Sequence, residues 1–205
     1  MADIFRAHGH DYAAQHALTP GQGKVLRAVQ RCRTAALGGH VDTCDHCGFT
    51  RPAYNSCRDR HCPSCQAPAR YRWLEQRMER VLPTHHFHVV FTLPEDLRPL
   101  ALRNPETVYG IVFAAASETL DTLGRQRLGA RIGATLVLHT WTRKMLFHPH
   151  VHCVVTGGGV AEDGHDSWAP TPRRFLFPVA VMRKLFRGIV RSRLRKAYDD
   201  EQLDL

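Results

Sequence analysis

The stretch His148-Pro-His150-Val-His152-Cys-Val-Val-Thr-Gly-Gly-Gly159 holds the side chains best placed to do chemistry. His150 and His152 stand two apart among β-formers, so on a strand they share one face while Val151 and Cys153 share the other. Two imidazoles projecting together can grip one divalent ion. The pattern alone is weak, because His-x-His also occurs at His8–His10, His86–His88 and His148–His150. Its neighbours in the chain give it weight.

A second constellation is richer in sulfur. Cys44-Asp-His-Cys47-Gly48 is followed by Cys57-Arg-Asp-Arg-His61-Cys62-Pro-Ser-Cys65, so two Cys-x-x-Cys knuckles stand with fourteen residues between them. Each knuckle brings two thiolates to one ion, and four complete a closed tetrahedral shell. The spacing predicts a structural Zn2+ on Cys44, Cys47, Cys62 and Cys65, with Cys57 and His61 as donors able to replace one of the four. Such a shell does no chemistry and folds a segment too polar to fold alone. Cys32, on the helical pattern before it, reads as a core thiol and not a ligand.

These sites sit in a strongly basic chain. Its 205 residues carry 28 Lys and Arg against 19 Asp and Glu, a net charge of +9 with pI ≈ 9.6. Only four of the basic residues are Lys. The Arg fork matches phosphate oxygens and guanine edges, which favours a nucleic-acid partner. With 43% hydrophobic residues the chain can bury a sizeable core, but no run approaches a bilayer span and no export signal opens it. Reduced cysteines in a cytoplasmic protein, with no membrane and no small-molecule substrate, are the expectation.

The elements that must position these groups follow from period and punctuation. Thr19-Pro20 caps a helix expected to run to Gly38-Gly39. A second helix is expected over 67–82, with Tyr71, Leu74, Met78 and Val81 on one side, ended by Pro83. Phe87, Val89, Phe91 and Leu93 alternate as a strand whose other face carries His86 and His88. Asn104-Pro105 opens a long helix, strands are expected over 133–141 and 150–156, Gly157-Gly-Gly159 reads as a flexible strand exit, and Pro178 starts a helix reaching Tyr198. Between Arg173 and Lys196 lie nine basic residues and no acidic one, a run able to track a phosphate backbone. The chain is expected to divide into residues 1–82, a small zinc-binding helical module, and 83–205, an antiparallel sheet flanked by helices: an α+β protein.

The order of motifs closely resembles one family. Tyr54-Asn-Ser-Cys-Arg-Asp-Arg-His-Cys-Pro-Ser-Cys65 comes first, then His88-Val-Val-Phe-Thr-Leu-Pro94, Leu138-His-Thr-Trp141 and Leu146-Phe-His-Pro-His-Val-His-Cys153. This is similar to the zinc-domain rolling-circle transposases of the insertion-sequence-ninety-one family, within the HUH superfamily of single-strand DNA endonucleases. The resemblance covers nearly the whole chain.

It implies an HUH-type sheet, here incomplete, and a metal-dependent transesterification. His150 and His152 hold Mg2+ or Mn2+ with a third polar ligand, and a tyrosine attacks the scissile phosphate to leave a 5′-phosphotyrosine and a free 3′-OH. His139 is the third ligand if an antiparallel hairpin brings its strand beside His150, with His148 the second candidate. DNA contacts are expected from Arg58 and Arg60 near the knuckles, Arg70 on the following helix, and Arg187 and Arg191 on the last. The partner is DNA, in particular single-stranded element ends. Nucleophilic tyrosines of the family follow the HUH strand, where only Tyr198 stands here, so the chain is expected to be truncated before its nucleophile: a partial transposase, or alternatively a non-catalytic zinc-dependent DNA-binding protein.

Overall fold

The computed structural model describes residues 2–144, 146–165 and 167–205. Contacts divide the chain into two units, Met1–Val81 and Leu82–Leu205.

In the first unit, α1 (Ala2–Gln15) and α2 (Pro20–Arg31) pack together, followed by a hairpin of β1 (Gly39–Thr43) and β2 (Thr50–Tyr54) and by α3 (Pro63–Met78). The start of α2 is the expected one. Thr19 accepts the Gln22 backbone N–H while the Gln22 side chain accepts the Thr19 N–H, with Pro20 in the first turn. Its end is not. The helix stops at Arg31 and leaves Cys32 extended at the C-cap, several residues before Gly38. Likewise α3 starts at Pro63, four residues before the expected position, because Cys62 serves as N-cap and proline suits the first helical position. The stripe of Tyr71, Leu74, Met78 and Val81, expected on one side of this helix, is exposed. The small core of this unit lies elsewhere, around Val29, Cys32 and Cys62 with Phe5 and Val25 against them.

The second unit is an antiparallel sheet with helices on one face. β3 (His86–Thr92), β5 (Phe147–Ala161) and β4 (Ala130–Trp141) lie in that order, and β6 (Trp168–Pro170) pairs with the far end of β5. Phe91, Val151, Cys153 and Val155 point to the covered face. There they meet Val112 and Leu120 of α5 (Pro105–Leu123) and Met182, Phe186 and Val190 of α6 (Val179–Asp199). A short α4 (Arg98–Arg103) leads into α5. Burying each such aliphatic or aromatic side chain contributes about 1.5–3 kcal/mol, so this face holds the unit together. The α+β architecture expected from the alternating and helical patterns is the one observed.

Gly157-Gly-Gly159 is not a strand exit. β5 continues through it to Ala161. Ile132 pairs with Gly159 but Ala134 with Val155, so β5 carries a bulge opposite Gly133. Thr156 pins it: its Oγ1 accepts the Gly133 N–H at 2.9 Å and donates to the Gly158 carbonyl at 2.5 Å. Gly158 has φ +151°, and a Cβ there would stand 2.6 Å from the Ala169 carbonyl oxygen, which is why glycine is required. Among the described residues no helix is long and apolar enough to cross a membrane.

Candidate metal centres and nucleic-acid interface

Four thiols converge in the first unit, but not the expected four. Cys32, Cys57, Cys62 and Cys65 have sulfurs all within 4.8 Å of one another. Each arrives from a chain turn: Cys32 from the C-cap of α2, Cys57 from the loop after β2, Cys62 from the N-cap of α3 and Cys65 from its first turn. The Sγ–Sγ distances are 3.5 Å for Cys32–Cys65 and Cys57–Cys65, and 3.6 Å for Cys32–Cys62. A disulfide needs about 2.05 Å. A tetrahedron with Zn–S of 2.3 Å has edges of about 3.8 Å, close to these values. The donor set therefore fits a structural zinc.

The local backbone supports the same assignment. N–H groups of Cys57, Asp59 and Arg58 point at the sulfurs of Cys32, Cys57 and Cys65 respectively. Arg58 reaches this position with a left-handed φ of +54°. Without an ion the pocket resists multiple ionisation: burial pushes the Cys57 thiol up to about 12 and the Cys32 thiol up as well. Burial opposes ionisation of Cys65 too, yet hydrogen bonds from Cys32, Cys57 and the Arg58 N–H bring it down to about 7. A bound divalent cation stabilises the thiolates together and releases their protons.

Cys44 and Cys47 are exposed on the β1–β2 turn, where the Gly48 N–H donates to the Cys44 carbonyl at 2.9 Å. Among the described residues they gather no third metal donor within 4.8 Å, so the expected pairing of the two knuckles is not the set this fold assembles. Cys32, read from its helical spacing as a core thiol, takes a place in the cluster with Cys57. The missed clue is the count: Cys57, Cys62 and Cys65 already put three thiols within nine residues. His61, the other spare donor, is exposed and hydrogen-bonds to Asp59.

The second centre lies on the open face of the sheet. In register His139 stands opposite His150, and Val137 opposite His152, so all three histidines project to one side. Their ligand nitrogens lie within 4.8 Å of one another. His150 is only 9% exposed. Its Nδ1 is 2.6 Å from the His148 carbonyl, so this nitrogen carries the proton and Nε2 keeps its lone pair. His139 stacks on Trp141 with ring centroids 6.3 Å apart. Burial, then the neighbouring His139, His150 and His88 rings, holds His152 below the usual histidine range, so it is neutral at pH 7. An imidazole donor set suits a Mn2+-like cation better than Mg2+, and leaves other positions to water or phosphate oxygens.

His148 is not part of this set. Arg98 Nη2 donates to its Nδ1 at 3.0 Å, which occupies that lone pair and puts the ring proton on Nε2. His88 projects from the open face of β3. The register places it diagonally from His152, with its Nε2 2.7 Å from His152 Nδ1.

The arginines expected to meet DNA are all exposed: Arg58, Arg60, Arg70, Arg187 and Arg191. On α6, Arg193 pairs with Glu118, Arg195 with Asp199 and Lys196 with Asp200. Arg183, Lys184, Arg187 and Arg191 have no such partner among the described residues and line a groove with Thr92 and Pro94 at the end of β3. Thr92 is the register partner of His150.

Comparisons with known proteins give the family of the chain. Residues 4–93 match a family model described as "Transposase zinc-binding domain", and residues 133–205 one described as "Putative transposase". The chain is 51% identical over 206 residues to "Putative transposase y4qJ" of Sinorhizobium fredii (strain NBRC 101917 / NGR234), covering 99% of this chain and 52% of that protein. It is 36% identical over 173 residues to the transposase for insertion sequence element IS801 of Pseudomonas savastanoi pv. phaseolicola, covering 83% and 40% respectively. The chain thus spans about half the length of the curated relatives it matches, or less. Among solved structures, TrwC complexed with a 27-mer DNA comprising the recognition hairpin and the cleavage site is similar over 54% of this chain and 44% of that one, with 15% identity and a TM-score of 0.40.

Proposed function

We propose, for a chain that belongs to the insertion-sequence-ninety-one family of transposases, that it binds the DNA of its element and holds one single strand for metal-dependent cutting and joining. Residues 1–82 act as a zinc-folded DNA-binding module, and residues 83–205 as the nuclease scaffold. The observation that carries the reading is the convergence of His139, His150 and His152 on the uncovered face of the sheet.

His139, His150 and His152 would hold a divalent cation, which when bound would supply polarisation of the scissile phosphate and stabilisation of the leaving oxygen. The chain's own residues do the rest. His150, His152 and His139 present their ring nitrogens from a sheet whose other face is packed against helices. The unpaired cations of α6, at the groove that Thr92 links to His150, draw in the phosphate backbone. Val90 and Val154, 41% and 48% exposed on the same open face, offer apolar surface to the bases. In this reading neither tyrosine of the second unit is the attacking phenol. Tyr109 packs against the core, and Tyr198 stands on α6, which covers the opposite face of the sheet. In this reading it comes from a further part of the whole transposase.

The test is fluorescence anisotropy of a labelled single-stranded oligonucleotide from the element end, with and without Mn2+. Mn2+ should tighten binding to the wild-type chain and not to the His150→Ala/His152→Ala variant, and no covalent adduct should survive denaturation. Binding indifferent to Mn2+ would leave a zinc-dependent DNA-binding protein with no catalytic role, and a covalent adduct would put the nucleophile inside this chain.

A further inference from the structure

Two of the three clustered imidazoles are held by a hydrogen bond at Nδ1. For His150 the acceptor is a backbone carbonyl. For His152 the partner is another side chain, His88, whose Nε2 stands 2.7 Å from His152 Nδ1, and the two rings lie parallel with an interplanar angle of 3° and centroids 5.0 Å apart. His88 comes from β3, opposite Val154, on the strand that does not carry His139. It is the one described imidazole in contact with the cluster from that side.

We infer that His88 is a positioning residue for the divalent-cation site: its Nε2 accepts the Nδ1–H of His152, which fixes the His152 ring and keeps Nε2 of that ring free for the ion. The inference rests on the function proposed above. The physical argument is one of tautomers. A neutral imidazole carries one proton, and a hydrogen bond at one nitrogen decides which nitrogen offers a lone pair. Without an acceptor at its Nδ1, His152 divides between two tautomers, of which one cannot bind the ion through Nε2. The ring also gains freedom about χ2, which the hydrogen bond to His88 now restricts. Groups that orient a ligand imidazole in this way commonly control affinity by about 10- to 100-fold. The side-chain bond further ties β3 to the site, so the outer strand of the sheet contributes to metal binding with no ligand of its own.

Three proteins decide the matter, each as the full chain with its zinc in place. His88→Phe keeps a flat ring at this position and removes the acceptor, His88→Gln restores an acceptor oxygen, and His150→Ala removes a ligand. Mn2+ affinity is read from the electron paramagnetic resonance signal of the free aqueous ion. His88→Phe should weaken binding by about 10- to 100-fold, and His88→Gln should recover most of the loss. A His88→Phe affinity within twofold of wild type, while His150→Ala abolishes binding, overturns the role of His88 and leaves the cation site standing. Failure of the wild type to take up Mn2+ overturns both. Should His88→Phe not fold, 15N chemical shifts of His152 in the wild type decide instead. A protonated Nδ1 supports the inference and a protonated Nε2 sinks it.

Discussion

Replacing Cys32 by Ser separates the sulfur set found in the fold from the one that spacing suggests. Structural zinc in small Cys-rich domains is held by about 10–16 kcal/mol, so one ligand of four accounts for roughly 2.5–4 kcal/mol. At 1.4 kcal/mol per decade, Cys32→Ser should weaken zinc binding by about 10²- to 10³-fold. The three sulfur distances of 3.5–3.6 Å that outline the tetrahedron include two made by Cys32, so no neighbouring thiol can take over without moving the C-cap of α2. The assay is competition for zinc with a chromophoric chelator, together with the absorption of the Co2+-loaded protein. An S4 shell gives a charge-transfer band that loses intensity for each sulfur removed. The paired control is Cys44→Ser/Cys47→Ser, which should leave that band and the affinity of this centre unchanged. Equal loss in the control, or a Cys32→Ser affinity within threefold of wild type, would refute the assignment.

Other consequences follow. Stripping zinc with a chelator should unfold residues before Pro83 and leave amide protection in the later sheet, and loss of protection throughout would count against two units. With zinc bound, a thiol-alkylating reagent should modify Cys44 first, because N–H groups of Cys47 and His46 lower its pKa and it is exposed; Cys153, fully buried, should react last. Burial lifts the Cys153 thiol from 9.0 to about 11, so the unfolded chain loses its proton first as pH rises. Stability from this group is whole below pH 9 and falls between pH 9 and 11, by up to ~3 kcal/mol. Urea unfolding of wild type against Cys153→Ala should show that slope only in the wild type, and equal slopes would mean that Cys153 does not titrate there. Arg187→Ala/Arg191→Ala should lower the slope of log K against log salt for DNA by about two, and an unchanged slope would take α6 off the backbone path.

Much of the sheet was legible because a period of two survives burial on one face. Phe87 to Leu93 and Val151 to Val155 alternate cleanly, and that alone puts His88, His150 and His152 on the outer side. The register that brings His139 opposite His150 was open, since it depends on the irregular step between the His139–His150 and Trp141–Phe147 pairs beside the hairpin turn. The zinc set was half legible. Cys62 and Cys65 announce themselves by spacing, whereas Cys32 follows Val25 and Val29 at helical intervals and reads as core. What changes its role is the helix ending at Arg31, a boundary marked by no glycine or proline there. The apolar stripe on α3 misled in the opposite direction, since periodicity predicts a buried face only where something is packed against it.

The bulge in β5 also carries a rule of parity. From Ile132 to Ala134 β4 advances two residues while β5 advances four, from Gly159 back to Val155. The surplus is even, so side chains on both flanks keep the same sense of up and down. Losing a single glycine from the triplet would make the surplus odd. One end of the hairpin would then have to roll over, carrying either Ile132 out of the oil or His139 into it.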